Sequence, residues 1–238
     1  MINESDKYVF ISGSRSQNFI PELVQNSLNL IIKQNIGVLI GDSDKGADSK
    51  IIEFFRKHLY ENVAVYTIYT RPRVDLEAGW STRIIRPIGS LGTKQQQTTK
   101  DRAMANDAQW GLALFNPIEI NRFGSIQVSS GTLRNVIQML LQNKAVKFFY
   151  IFENEVKCRN LKKLEDLESL IYSFRFEHLN RHEIEVIHSA NGVSADDSAI
   201  LIKFRTLMEK YNSLVKKEKK FVVSCTEISV EQIQSPLF

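Results

Sequence analysis

Apolar residues recur along this chain at two spacings. Tyr8-Val9-Phe10-Ile11 is a short β-branched and aromatic run that stops at Ser12-Gly13-Ser14-Arg15, which predicts a buried strand feeding a tight turn. Ile20, Leu23, Val24, Leu28, Ile31 and Ile32 follow at helical spacing, with Pro21 near the start, where a missing backbone N–H costs little. Gly37-Val38-Leu39-Ile40 reads as a second strand ending in the loop from Gly41 to Asp48. Ile51, Ile52, Phe54, Phe55 and Leu59 mark a second helix, and residues 63–68 a third strand. Strand, helix, strand, helix, strand at this spacing predicts a parallel sheet with right-handed crossovers.

Residues 69–97 break that rhythm. Pro72, Gly79, Pro87, Gly89, Gly92 and the polar Gln95-Gln96-Gln97 predict a long loop with no more than a short turn of helix. The pattern then resumes with a helix over 98–107, a strand over 109–115, a loop over 116–128, a helix over 131–142 and a strand over 145–152. The expected fold is α/β and Rossmann-like: a mostly parallel, five-stranded sheet flanked by helices. After residue 155 the character changes. Residues 160–170 and 199–217 are amphipathic helices, and 183–187 and 221–223 read as short strands. The expected division is a Rossmann-type ligand-binding domain over 1–155 and a mostly helical extension over 156–238.

Composition narrows the classes. Hydrophobic residues make up 43% and charged residues 24% of the 238, the balance of a chain that buries a core and not of a disordered one. No apolar run approaches the roughly 18 residues of a spanning helix, and Met1 to Lys7 has neither a secretory nor a transit profile, so a cytoplasmic protein with no membrane partner is expected. The two cysteines, Cys158 and Cys225, offer neither a disulfide framework nor a zinc-thiolate cluster. A net charge of +4 implies nucleic acid only if a patch localises it.

Ligands of parallel α/β sheets bind beyond the carboxyl ends of the strands, and the small polar residues gather there. Gly13, Ser14 and Arg15 leave the first strand: glycine allows close approach, serine offers hydrogen bonds and arginine pairs with anions. An ordinary strand-to-helix turn would account for that tripeptide equally well. Gly41, Asp42 and Asp48 sit in the second loop, whose acids could accept hydrogen bonds from ribose hydroxyls, although turn chemistry alone favours Asp and Gly. Ser129-Ser130-Gly131-Thr132 stands directly before a helix, and backbone N–H groups there, with glycine for access and hydroxyls on both sides, suit a phosphate. Helix capping needs only one of those hydroxyls. There is no Walker A lysine beside the hydroxyl residue and no GxGxxG, so neither an ordinary P-loop nor an NAD or FAD cofactor is expected, and no other cofactor is implied. Lys100, Asp101, Arg102 and Met104 lie on the helix ahead of the fourth strand, Lys100 and Met104 on one face and Arg102 away from them.

In that order these motifs resemble the SLOG superfamily, the Rossmann-like group that includes LOG-type nucleotide phosphoribohydrolases, DprA and YspA-like proteins. The resemblance runs from about Tyr8 to Phe152. It rests on Ile11-Ser12-Gly13-Ser14-Arg15, Ile40-Gly41-Asp42 with Gly46-Ala47-Asp48, Lys100 to Met104, and Ser130-Gly131-Thr132, and the spacing on to Asn135 and Lys144 is most like YspA-type members. It implies a pocket for a nucleotide or nucleotide-derived ligand, with Gly13, Ser14 and Arg15 on one side, a phosphate cradle at Ser130 to Thr132 on the other, and Arg15 and Arg102 supplying charge. It also implies roles in nucleotide sensing, including anti-phage signalling, and pairing into homo-oligomers. The LOG-type alternative is N-glycosidic cleavage. Arg102 matches its arginine, but Val128 and Ser129-Ser130 stand in place of its proline and glycines, and Asn135 in place of its glutamate. Asparagine carries no charge to stabilise an oxocarbenium-like transition state and is no base near neutral pH. An enzyme would need a displaced carboxylate, with Asp44, Asp48, Asp101 or Asp107 as the candidates.

Four further features carry less. His178 and His182 are four apart with His188 nearby, but without HExxH or a close cysteine no metal site is expected. Arg71, Arg73, Arg83 and Arg86 decorate the long loop and either reach an anionic ligand or face solvent. The run from Lys216 to Lys220 leaves open a DprA-like single-stranded nucleic-acid binder, though no stacking aromatics interleave it. Trp80 and Trp110 fit packing, Trp80 alternatively a base stack.

Overall fold

The computed structural model describes residues 7–86, 92–120, 126–152, 155–177 and 206–222. In chain order the elements are β1 (Tyr8–Gly13), α1 (Glu22–Lys33), β2 (Gly37–Gly41), α2 (Gly46–Lys57), β3 (Val63–Thr67), β4 (Ser81–Ile84), α3 (Thr93–Asp107), β5 (Trp110–Phe115), β6 (Ile118–Ile120), β7 (Ile126–Val128), α4 (Ser130–Leu141), β8 (Val146–Phe152), β9 (Glu155–Leu161) and α5 (Leu164–Glu177). A last helical stretch, α6, spans 206–222.

Seven strands form one sheet in the order β4-β3-β2-β1-β5-β8-β9, and only β9 runs antiparallel, against β8. The α/β expectation holds, with two strands more than the five foreseen. Both additions are edges. β4 lies inside the stretch read as loop, and the hairpin of β6 and β7 occupies part of the other expected loop. Helix α3 begins at Thr93, five residues earlier than the pattern indicated.

Period-two alternation sorts the strand side chains onto two faces. Phe10, Leu39, Ala64, Tyr66, Ala113, Phe115, Phe148 and Tyr150 belong to one buried cluster. Val9, Ile11, Val38, Ile40, Val63, Val65, Leu112, Leu114 and Phe149 belong to the other. Strands covered on both sides lose any polar alternation, which is why β1, β2, β3, β5 and β8 read as continuous apolar runs. Helices α1 and α2 cover the second face with Val24, Leu28, Ile31, Ile51, Ile52 and Phe55. Helix α4 covers the first and is buried almost all round.

The described residues past 155 pack against the sheet, mostly into that first core, with Val156 and Cys158 against the second. β9 pairs with β8 along seven residues, and Leu167, Ile171 and Phe174 of α5 join Leu207, Tyr211 and Leu214 of α6 in the cluster around α4. Phe221 and Val222, read as the start of a strand, are helical. The segments 183–187 and His178, His182 and His188 lie outside the described residues. No helix among the described residues is long and apolar enough to cross a membrane.

Candidate functional site

From β1 the chain steps outward through β2, β3 and β4, then returns to place β5 on the opposite side of β1. At such a reversal of strand order a crevice is expected at the carboxyl ends of the strands, and one lies beside β1 on its β2 side. A cleft of about 670 Å³ occupies that position. Its walls are Ser12 and Gly13 at the end of β1, Gly41 at the end of β2, the loop residue Arg15, Asp48 of α2, Lys100 and Asp101 of α3, and Ser129 to Thr132 with Asn135 of α4.

The glycines have specific jobs. A Cβ at Gly13 would collide with that of Ala47 and come within 3.3 Å of the Leu114 carbonyl. Gly13 is thus required by packing of α2 against β1, and it also lines the cleft. Gly46 has φ +75° and fits against the Arg15 backbone, a left-handed conformation that favours glycine. Gly41 leaves room for polar groups: a Cβ there would stand 2.9 Å from Lys100 Nζ and 3.0 Å from Asp48 Oδ2. Gly131 differs from all of these. Nothing lies within 4 Å of where its Cβ would be, so the start of α4 faces open space in the cleft. Ser129, at the N-cap, makes no side-chain hydrogen bond there, so its hydroxyl leaves the first-turn amides uncapped.

In the cleft wall lies a charged cluster centred on Lys100, which is only 5% exposed. Its Nζ is 3.6 Å from Asp101 Oδ1 and 3.8 Å from Asp42 Oδ1. Asp42 is fully buried and accepts from Thr67 Oγ1 (2.7 Å) and from the Arg73 guanidinium (3.2 and 3.3 Å). Burial alone would raise its pKa, but the hydrogen bonds from Arg73 and Thr67 and the Lys100 charge outweigh that and hold the carboxyl below its ordinary range. Asp48 has no such support. Its Oδ1 is shut away from solvent without a hydrogen-bond partner, and desolvation pushes the carboxyl up to about 7 against the pull of Lys100. Asp101 is raised in the same sense, again chiefly by desolvation. Asn135, 7% exposed, also lines the cleft with an Oδ1 that has no hydrogen-bond partner.

The lining carries six basic residues (Arg15, Lys45, Arg73, Lys94, Lys100 and Arg134) against two acids, Asp48 and Asp101. Arg15 makes no ion pair with any described residue, whereas Arg134 is held by Thr98 (3.0 Å) and by Glu218 of α6 (3.5 Å). Such a surface attracts an anion, and the bare first turn of α4 supplies donors to receive it.

Of the residues expected at this site, Gly13, Arg15, Gly41, Asp48, Lys100, Asp101 and Ser129 to Thr132 do converge on one cleft. Three do not line it. Ser14 is buried and its Oγ accepts the Asn116 N–H (2.9 Å), tying the loops after β1 and β5 together. Asp42 lies behind the wall, holding Lys100 and Arg73. Arg102 turns away: it pairs with Glu218 (2.9 Å) and its guanidinium stacks 3.5 Å over the Phe221 ring. Asp107 binds Tyr66 and Arg83, Lys144 donates to the last carbonyls of α3, and Trp80 donates to Tyr60 O within the second core; none of these lines the cleft. Sequence reading missed Arg134. Its signal was a cation just past the first turn of a helix, where the dipole disfavours positive charge unless an anion is near.

The basic run on α6 is interrupted by Glu218, which is 3% exposed and also accepts from Gln138 (3.0 Å). Among the described residues no group of three or more His, Cys, Asp or Glu is placed to hold a metal ion. A scan against protein-family models and a search of curated proteins each found no match to this chain.

Proposed function

We propose that this protein is a SLOG-like receptor that binds a phosphate-bearing nucleotide or nucleotide-derived molecule in the cleft at the ends of β1 and β2. One observation carries the reading: the uncapped start of α4, with free space beside Gly131, opens into a cleft whose charge is predominantly positive. The phosphate sits on the Ser130-Gly131-Thr132 amides, Arg15 approaches it from the β1 loop, and the unpartnered Asn135 Oδ1 accepts a hydrogen bond from a ligand hydroxyl or amine. Nucleoside mono- and diphosphates are expected to raise the melting temperature of the wild-type protein. Gly131→Val, which fills open space at the surface, keeps the unliganded melting temperature and loses that rise; an undiminished rise in the variant removes the phosphate from this position.

A second reading, hydrolysis of an N-glycosidic bond, is favoured by Asp48. A carboxyl that titrates near 7 inside a cleft is matched to proton transfer at neutral pH. As a carboxylate it would take a proton from water attacking the anomeric carbon while the base departs with the bond's electron pair. Incubation with nucleoside monophosphates then releases free base, detected by chromatography, from the wild type and not from Asp48→Asn. If no base is released, the hydrolytic reading fails for these nucleotides.

A further inference from the structure

A second cavity, of about 520 Å³, adjoins the cleft and shares Lys94, Val128 and Ser130 with it. Its outer wall belongs to α6, which contributes Thr206, Glu209, Lys210 and Ser213. Lys94 stands in the first turn of α3, and neither α3 nor α4 has an acidic residue in its first turn. Lys94 forms no ion pair with a described residue. The Lys210 ammonium is held below the ordinary lysine value, first by desolvation and then by the like charges of Lys94, Lys217 and Arg134. Lys94 at the start of α3, Lys210 of α6 and the start of α4 thus line one cavity beside Ser130, with Glu209 the one acid among the described residues of its wall, an arrangement that favours entry of an anion.

We infer that the two cavities hold a single ligand with two separated anionic groups, one on the α4 amides and the second between Lys94 of α3 and Lys210 of α6. The inference rests on the cleft being a phosphate site and extends it to a class of ligand: a phosphoanhydride chain or a molecule with two phosphates, in preference to a monophosphate. Ser130 lies where the two cavities meet, so one chain can pass from the first site to the second without leaving the protein surface. It also makes α6 part of the binding site. A ligand that reaches Lys210 is held between the sheet and the C-terminal helix, and its first anionic group competes with Glu218 for Arg134.

Inorganic phosphate and tripolyphosphate, titrated calorimetrically into the full chain, separate the two subsites. Tripolyphosphate is expected to bind the wild type at least about tenfold more tightly than phosphate, since each added charge-assisted contact is worth roughly a factor of ten. Lys94→Gln and Lys210→Gln each weaken tripolyphosphate by about tenfold, Lys210→Gln leaves phosphate within about twofold, and Lys33→Gln, on the far end of α1, changes neither. Gly131→Val weakens both anions. Equal affinity of the wild type for the two anions, or tripolyphosphate affinity that survives both lysine changes, overturns the second subsite while the cleft stands. Phosphate binding that is indifferent to Gly131→Val overturns the cleft assignment itself, and absence of binding by either anion overturns both.

Discussion

Asp48 and Gly41 show how single residues set the chemistry of the cleft. Gly41 lacks the Cβ that would crowd Lys100 Nζ and Asp48 Oδ2, so an ammonium and a carboxyl share the space beside it. Asp48 is nevertheless left short of partners, and its pKa near 7 lies well above the ordinary 3.8. The folded state therefore binds a proton that the unfolded chain has already released between those two values. Stability falls as pH rises through that window, by at most ~1.4 kcal/mol per pH unit, and levels off above 7. An incoming anion favours the protonated, neutral form, so binding takes up a proton. Sulfate, which does not titrate in this range, is expected to lose affinity between pH 6 and 8, by no more than about tenfold per unit. Asp48→Asn should bind sulfate at pH 8 as the wild type does at pH 6, with a flat profile. A wild-type profile that is already flat, or one that slopes equally in the variant, places the titrating group elsewhere.

Among the elements, what could be read from the sequence follows burial. β1, β2, β3, β5 and β8 are covered on both faces and announce themselves as unbroken apolar runs. β4 has the sequence Ser81-Thr82-Arg83-Ile84, mostly exposed at the sheet edge, and β9 carries Glu155, Lys157, Arg159 and Asn160 at the other. Polar edges discourage pairing with other chains, and that same polarity removes the signal by which a strand is recognised. Helix α3 escaped notice over its first turns for a related reason: only Lys100, Met104 and Ala105 are buried, so Gln95-Gln96-Gln97 shows no apolar stripe. The cleft was partly legible. Glycine and hydroxyl residues after predicted strands marked β1 and β2, and those directly before a predicted helix marked α4, because local geometry calls for them wherever they lie in the fold. Helical spacing already set Arg102 away from Lys100, but the partner of Arg102 and Arg134 was not legible, since Glu218 is 116 and 84 positions away.

At the scale of the whole molecule, the sheet and its C-terminal helices form one arrangement around α4. The cleft lies at the carboxyl ends of β1 and β2, α4 brings its amino end to the rim, and α5 and α6 pack on the rest of that helix. Glu218, 3% exposed, links Arg102 and Gln138 to Arg134 at the cleft wall, so the cleft's charge balance depends on the last described helix. The central claim is that an anion rests on the first-turn amides of α4. Phosphate titrated into ¹⁵N-labelled protein addresses it directly through backbone amide resonances. The account predicts saturable shifts largest at Gly131 and Thr132, with smaller ones at Arg15 and none on α1; saturating phosphate that leaves the Gly131 and Thr132 amides unmoved contradicts it.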